Sequence, residues 1–255
     1  MERNFLLTVA YDGTPFAGWQ LQPDVPTVQG TLEEALEAVC NTKIRVNGTS
    51  RTDAGVHAYG QRVGFSGDFG IPTDKLALAV NHVLAGMAKG KSPVGSIVIT
   101  KVEEKPIGFR LRADSKGKKY IYKIKNTDDV DLFQRNYCYY IKKPLDVEAM
   151  KEAAKFIVGV HDFKCFQAAG GAKRATTIRN IYDLKIDVSG ENITLQIDGN
   201  GFLYNMVRII TGTLVDVGRG RFVPKDVEKI ILDGDRQKAG HTAPPQGLYL
   251  AEVYY

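Results

Sequence analysis

The chain has few cysteines, no long apolar run and no histidine-rich segment. Its three cysteines, Cys40, Cys138 and Cys165, are odd in number and lack C-x-x-C spacing, which argues against a disulfide framework and a zinc site. No apolar run approaches the length of a membrane span, and the apolar segment at the N-terminus is too short for a secretory signal. We therefore expect a cytoplasmic protein with no metal site and no membrane attachment.

Several catalytic motifs are also missing. There is no Ser-His-Asp motif, and the segment from Gly86 to Ser92 is one residue short of a phosphate-binding loop and follows no buried strand. Glycoside hydrolysis normally needs two carboxylates, which we do not find together. The chemistry that remains is work on a base or sugar of RNA.

The 255 residues, 44% hydrophobic and 25% charged, are typical of a globular protein with one large domain or two of ordinary size. The predicted elements run strand-helix-strand-strand-helix-strand and then broadly repeat. This order predicts an α+β fold with two similar subdomains, residues 1–105 and 106–255, each with a mostly antiparallel sheet and helices on one face.

Local patterns predict individual elements. Thr27 should cap a helix, and the apolar spacing from Gly201 to Val217 predicts a long helix. Lys43 to Val46 reads as a short strand followed by a turn at Asn47 and Gly48. Two alternating segments that flank Ser189 and Gly190 predict a hairpin.

One loop stands out, G-T-S-R-T-D-A-G-V-H-A, residues 48–58. It places Asp53 between Arg51 and Gly55 among small residues, which favours a tight turn that presents a carboxylate to a flat ligand. The alternative is a surface turn in which Asp53 caps the backbone and pairs with Arg51. His57 could pair with Asp53, although a packing role in the turn is favoured.

A basic stretch occupies the middle of the chain. Between Lys105 and Lys125 there are eight positive residues and a single negative one, Asp114, with Phe109 and Tyr120 among the aromatic residues interleaved. Such clusters supply the salt-dependent part of nucleic-acid affinity. The alternative is a solvated strand face. Further along, Arg208 lies within an apolar segment, where a guanidinium needs an anionic partner or a path to solvent.

The string S-R-T-D-A-G-V-H-A resembles the signature of the pseudouridine synthases, in the form found in the TruA family of tRNA pseudouridine synthases. Other segments resemble that family in the expected order along almost the whole chain: Y-D-G-T-P-F-A-G-W-Q (11–20), K-K-Y-I-Y (118–122), H-D-F-K-C-F (161–166), G-N-G-F-L-Y-N-M-V-R (199–208) and A-P-P-Q-G-L-Y-L (243–250). The resemblance implies the pseudouridine synthase fold and a homodimer.

It also implies an activity and site residues. The expected reaction is the isomerisation of uridine to pseudouridine at positions 38, 39 and 40 in the tRNA anticodon stem-loop, with no cofactor. By its place in the motif, Asp53 would be the catalytic aspartate, Arg208 would form an ion pair with it and Tyr120 would stack on the flipped uracil. The residues that we assign to substrate binding are Arg51, Arg112, Lys118, Lys119 and Phe16.

The chain departs from the family pattern in two places. Ser50 stands where the family often has glycine, and Asp114 and Ser115 stand where it has serine and alanine. The first matters little if the backbone angles suit an ordinary residue. The second adds a negative charge near the RNA.

Other functions remain open from sequence. A related enzyme could act on another uridine or another RNA, and a non-catalytic RNA-binding protein could keep the same scaffold. The chemical role of Asp53 is also open, since it could attack the sugar, attack C6 of the base or remove a sugar proton.

Overall fold

A computed structural model describes residues 2–86, 95–171 and 175–255. The chain forms two compact units, Met1–Lys116 with Tyr249–Tyr255, and Gly117–Leu248. Most of the segment that mimics a phosphate-binding loop, residues 86–92, lies outside the described residues. The ranges 1–105 and 106–255 stay a prediction about domains.

The first unit is an α+β layer. Its elements are β1 (Arg3–Tyr11), α1 (Val28–Cys40), β2 (Asn47–Gly48), β3 (His57–Gly67), α2 (Thr73–Gly86), β4 (Ile97–Lys105) and nearly all of β10 (Leu248–Tyr254). The strand order is β4-β1-β3-β10, and β2 pairs with β3. All these pairs are antiparallel except β3 with β10. Helix α2 packs on α1 and β4.

The second unit is also built from mostly antiparallel strands and helices. Its elements are β5 (Gly117–Asn126), β6 (Tyr139–Ile141), α3 (Val147–Lys155), β7 (Gly159–Asp162), β8 (Ile178–Ser189), β9 (Asn192–Gly199), α4 (Met206–Gly218) and α5 (Asp226–Asp233). The order β5-β9-β8-β7 is antiparallel throughout, and β6 pairs with β5 in parallel. Helix α3 packs on α4 and β8.

The mostly antiparallel strand pairing and the helices of both units confirm the predicted α+β class. Thr27 caps α1 as predicted, because its Oγ1 accepts a hydrogen bond from the N–H of Gly30 at 3.2 Å. The predicted hairpin is present as β8 and β9, and Gly190 takes a positive φ of 58° in the turn between them.

Two local predictions were wrong. Residues 43–46 are not a strand, and the strand instead occupies Asn47–Gly48. The reason is that side chains of α1 satisfy this backbone: the N–H of Val46 donates to Oε1 of Glu33 at 3.0 Å and its carbonyl accepts from Nε2 of Gln29. The second wrong prediction is the start of the helix expected from Gly201 to Val217. This helix, α4, begins only at Met206, because Asn205 before it is left-handed, with a φ of 59°.

The three cysteines are free thiols that differ in burial, and Cys40 is half-buried. Cys138 and Cys165 are buried, and burial raises the pKa of the Cys165 thiol to about 12. Among the described residues, no group of three or more His, Cys, Asp or Glu side chains could hold a metal ion. No helix in the described part of the chain is long and apolar enough to cross a membrane.

Candidate active site

The loop that carries Asp53 joins β2 to β3. Its first half is fixed to β3: the N–H of Thr49 donates to the carbonyl of Arg62 at 2.9 Å. Gln61 makes two bonds to Ser50, accepting from its N–H at 3.2 Å and donating to its carbonyl at 2.7 Å. Because Gln61 is fully buried, these bonds are shielded from water and hold the loop firmly.

The second half of the loop is fixed at Thr52 and closes in a turn. The carbonyl of Thr52 accepts from the N–H of Trp19 at 3.0 Å, and its hydroxyl lies 2.8 Å from the hydroxyl of Tyr11. The N–H of Val56 donates to the carbonyl of Asp53 at 3.1 Å, and Gly55 has a φ of 76°. Asp53 is thus half-buried at the start of a glycine turn.

Glycines let residues 11–20 pass close beneath this loop. A Cβ on Gly13 would lie 2.1 Å from the carbonyl oxygen of Val56, and one on Gly18 would lie 2.8 Å from that of Thr52. Gly18 also has a φ of 100°, which L side chains rarely adopt. Sequence reasoning missed this supporting role, although the glycines of Y-D-G and A-G-W were the available signal.

His57 is a packing residue of this region, as the sequence analysis favoured. It is 2% exposed, its Nδ1 accepts from the N–H of Gly13 at 3.0 Å, and its ring stacks on Tyr249 with centroids 4.7 Å apart. Because His57 is the first residue of β3, this hydrogen bond and this ring contact fix the start of the strand.

The two departures from the family pattern have local explanations. Ser50 has no positive φ, so a side chain is tolerated there, and its buried Oγ has no hydrogen-bond partner among the described residues. Asp114 accepts from the N–H of Arg110 at 2.9 Å, and its other oxygen lies 3.6 Å from Nε of the same residue. Arg110 therefore partly compensates the negative charge of Asp114.

Tyr120 and Arg208 both lie in the second unit. Tyr120, on β5, is 8% exposed and makes an edge-to-face contact with Phe202, with centroids 5.0 Å apart. Arg208, on α4, donates from Nε to the carbonyl of Ala243 at 2.7 Å and from Nη1 to Oδ1 of Asn205 at 2.8 Å. These oxygens satisfy part of the guanidinium within the unit, as a cation in an apolar helix requires.

The residues assigned to substrate binding in the first unit differ in exposure. Arg51, two residues before Asp53 in the chain, is exposed. Arg112 donates from Nε and Nη2 to the carbonyl of Gly48 at 3.1 and 3.0 Å, so it holds the start of the Asp53 loop. Phe16 is 3% exposed, which gives its ring a packing role in this structure, and its contact with substrate stays a prediction.

The two lysines of the predicted RNA-binding set precede Tyr120 on β5 in the second unit. Lys118 and Lys119 are half-buried, and Nζ of Lys119 lies 3.7 Å from Oδ2 of Asp198 on the neighbouring strand. The carboxylate of Asp198 therefore partly compensates the positive charge of Lys119.

The chain is similar to known proteins along its length. A family model described as tRNA pseudouridine synthase matches residues 7–96 and 153–255. Proteins named tRNA pseudouridine synthase A from Caldicellulosiruptor bescii and Ruminiclostridium cellulolyticum are each 44% identical, over 253 and 254 residues, and each alignment covers 99% of this chain and 100% of the relative. A solved structure titled "Crystal Structure of a Cbf5-Nop10-Gar1 Complex" matches 97% of this chain and 47% of its own, at 11% identity and a TM-score of 0.34, which is too weak to support a conclusion.

Proposed function

The chain belongs to the tRNA pseudouridine synthase family, and from that membership we propose that it converts uridine to pseudouridine at positions 38, 39 and 40 of the tRNA anticodon stem-loop. As a member of this family it is an isomerase. The observation that supports the proposal most is the Asp53 loop, which carries one carboxylate two residues after the exposed Arg51 and is held by buried bonds at Ser50 and Thr52.

The reaction rearranges one nucleotide without adding or removing atoms. The N1–C1′ bond breaks, the uracil turns in the pocket, and C5 bonds to C1′. The C5 proton leaves and N1 gains a proton, so product and substrate have equal mass. Because the detached base must not escape, the site has to exclude water and solutes while the uracil turns.

We assign the chemistry to three side chains. Asp53 acts on the nucleotide, Arg208 is its proposed ion-pair partner, and Tyr120 stacks on the extruded uracil. Removing a base from its stack costs a few kcal/mol, which stacking on an aromatic ring offsets. The contacts of Arg208 with Ala243 and Asn205 support this assignment, because they orient a cation that an apolar helix would otherwise exclude.

The remaining contacts hold the RNA. Arg51 helps to displace the base and holds the adjacent backbone, and Arg112, Lys118 and Lys119 bind phosphates. Phosphate contacts of this kind position the RNA without reading its sequence. We further propose that the protein acts in the cytoplasm as a homodimer, with the tRNA lying across both subunits.

A panel of unmodified anticodon-arm transcripts tests the proposed positions. Three transcripts keep a uridine at only one of positions 38, 39 and 40, and a fourth has cytidine at all three. Each is incubated with the protein and mapped for pseudouridine base by base. We expect product in the first three and none in the fourth.

Two other results would change the proposal. Product at uridines elsewhere would keep the chemistry and overturn the positions. Binding of all four transcripts without product would lead to a second incubation with full-length tRNA. No product there either would favour a non-catalytic RNA-binding protein.

A further inference from the structure

A short segment of the second unit, residues 240–244, lies along helix α4. The N–H of Gly240 donates to Oγ1 of Thr213 at 2.9 Å. A Cβ on Gly212 of the helix would lie 1.8 Å from the carbonyl oxygen of His241, and one on Gly240 would lie 2.6 Å from Cα of Thr213. Two glycines are thus needed for the segment and the helix to approach so closely.

Other side chains fix the same segment from outside the helix. Arg236 donates to the carbonyl of Gly240 at 3.0 Å and to Oγ1 of Thr242 at 3.1 Å. The hydroxyl of Tyr122 donates to the carbonyl of Pro244 at 2.6 Å. Burial raises the pKa of Tyr122 well above its ordinary value, so this donor keeps its proton.

His241 is the centre of a hydrogen-bond network. Its Nδ1 lies 3.4 Å from Oδ2 of Asp216, and its Nε2 lies 3.3 Å from the hydroxyl of Tyr139, whose ring meets the imidazole edge-on. Asp216 is 2% exposed and lies in the last turn of α4. A carboxylate there is disfavoured by desolvation and by the helix dipole, so its partners must offset a cost.

Asp216 has two further cationic partners. Nη1 of Arg221 lies 3.3 Å from its Oδ1, and Nη1 of Arg219 lies 3.8 Å from the same atom. Both arginines contact Oδ1, whereas His241 contacts Oδ2. One carboxylate oxygen of Asp216, Oδ2, therefore contacts the 240–244 segment. The other, Oδ1, contacts the arginines that follow α4.

The segment also makes a two-way contact with Arg208. Nε of Arg208 donates to the carbonyl of Ala243 at 2.7 Å, and the N–H of Ala243 donates to the carbonyl of Arg208 at 3.1 Å. Ala243 follows His241 by two residues in the chain. Because the two residues are so close in the chain, we expect a displacement of His241 to move the carbonyl of Ala243 that orients the guanidinium.

We propose that His241 is a positioning residue for Arg208: with Asp216 and Tyr139 it fixes the 240–244 segment, so that the carbonyl of Ala243 holds the guanidinium in its working orientation. This inference builds on the proposed function, in which Arg208 serves the reaction. It assigns no contact with substrate to His241. The rival explanation is that the network only stabilises the second unit.

Steady-state kinetics of His241→Ala separate the two explanations. Because a displacement of about 1 Å can cost up to about 100-fold in rate, we expect kcat to fall about tenfold. The KM for tRNA should be unchanged, since the RNA-binding residues are elsewhere. His241→Asn keeps an amide that can reach Asp216 and should recover most of the loss. Arg221→Gln is the matched control, because it removes a contact to Asp216 without touching the 240–244 segment, and it should keep the wild-type kcat.

A second measurement does not depend on activity. In ¹H–¹⁵N spectra, the Nε–H signal of Arg208, assigned by its absence in Arg208→Gln, reports the bond to Ala243. We expect it to shift or broaden in His241→Ala and to keep its position in Arg221→Gln. Urea unfolding of each variant accompanies both measurements, and kinetics are compared at a temperature where all are folded.

The inference is supported if the Arg208 signal changes in His241→Ala and kcat falls with KM constant. It is overturned if the signal is unchanged, or if kcat keeps its wild-type value, or if Arg221→Gln lowers kcat as much as His241→Ala. If the wild type makes no pseudouridine, the proposed function fails. The spectra then decide on their own whether His241 positions Arg208.

Discussion

The loop that carries Asp53 is fixed mainly through its backbone, whereas Arg208 is fixed through its side chain. In the first unit, the backbone of Thr49, Ser50 and Thr52 bonds to β3 and to Trp19, and glycines make the close approach possible. In the second unit, the guanidinium of Arg208 is oriented by an amide three residues away and by a carbonyl from a remote segment. The two regions should therefore respond differently to substitution.

The largest effect is expected at Asp53, because its side chain carries the proposed chemistry, whereas the loop is held in place mainly by backbone bonds. Asp53→Asn should lower the rate of product formation by about 10³-fold or more, because a neutral amide cannot act as nucleophile or base. Binding of tRNA, measured by filter retention, should stay within about threefold, since the phosphate contacts are unchanged. Asp74→Asn, in the first turn of helix α2 with a side chain that is 74% exposed, is the matched control and should keep full activity.

The next largest effect tests the backbone support of the loop. Gly18→Ala places a Cβ 2.8 Å from the carbonyl of Thr52 at a φ of 100°, so it should cost about 2 kcal/mol of stability and displace the loop. Urea unfolding and initial rates measure the two consequences. Gly70→Ala, at a position where a Cβ meets nothing within 4 Å, is the control. Equal stability and equal rate in both variants would show that the close approach does not support the loop.

Acid stability tests a side-chain contact between Arg62 on β3 and Glu103 on β4 in the first unit. Burial acts to raise the pKa of Glu103, but hydrogen bonds from Arg62 and Lys105 outweigh it and lower that pKa to about 2. Since the folded pKa lies below the ordinary 4.5, the carboxylate stabilises the fold above about pH 4.5 and loses this contribution as the pH falls toward 2. Glu103→Gln should therefore lower the free energy of unfolding at pH 7 by about 1–3 kcal/mol and by much less at pH 3.

The control for this acid-stability prediction is Glu148→Gln in the second unit, whose side chain is 83% exposed. It should leave the free energy of unfolding unchanged within about 0.5 kcal/mol at both pH values. A Glu103→Gln profile parallel to the wild type between pH 7 and pH 3 would contradict the assigned pKa.

A smaller gain in stability is expected at Ser50. Its buried Oγ has no partner among the described residues, and an unpaired buried hydroxyl costs about 1 kcal/mol or more. Ser50→Ala should raise the free energy of unfolding by about 1 kcal/mol and keep the rate, because the backbone bonds to Gln61 remain. A lower stability in this variant would mean that the hydroxyl has a partner in solution.

The smallest effect is expected from a single phosphate contact in the second unit. Lys118→Ala should weaken tRNA binding a few-fold and reduce the slope of log K against log salt by about 0.7–0.9, since one contact to RNA is lost. The rate at saturating tRNA should be unchanged. An unchanged salt slope would remove Lys118 from the RNA-binding set.

Sequence reasoning succeeded where the signal is local. Glycines, small residues and caps predicted the Asp53 turn, the start of α1 and the hairpin of β8 and β9. It failed where side chains replaced strand pairing, as at Val46, whose backbone bonds to Glu33 and Gln29 of α1. The partner of Arg208 in Ala243 was also out of reach, because it lies 35 residues away and is a backbone atom without a residue-type signal.

The most direct test of the account uses tRNA transcripts that carry tritium at C5 of uridine, incubated with the protein in the absence of added cofactor and metal. Isomerisation must release the C5 tritium to water, and N1 takes up a proton from water while the base stays attached to the RNA. We predict tritium release that matches the pseudouridine formed, with no uracil set free and no release by Asp53→Asn. Tight tRNA binding without tritium release, or equal release by wild type and Asp53→Asn, would contradict it.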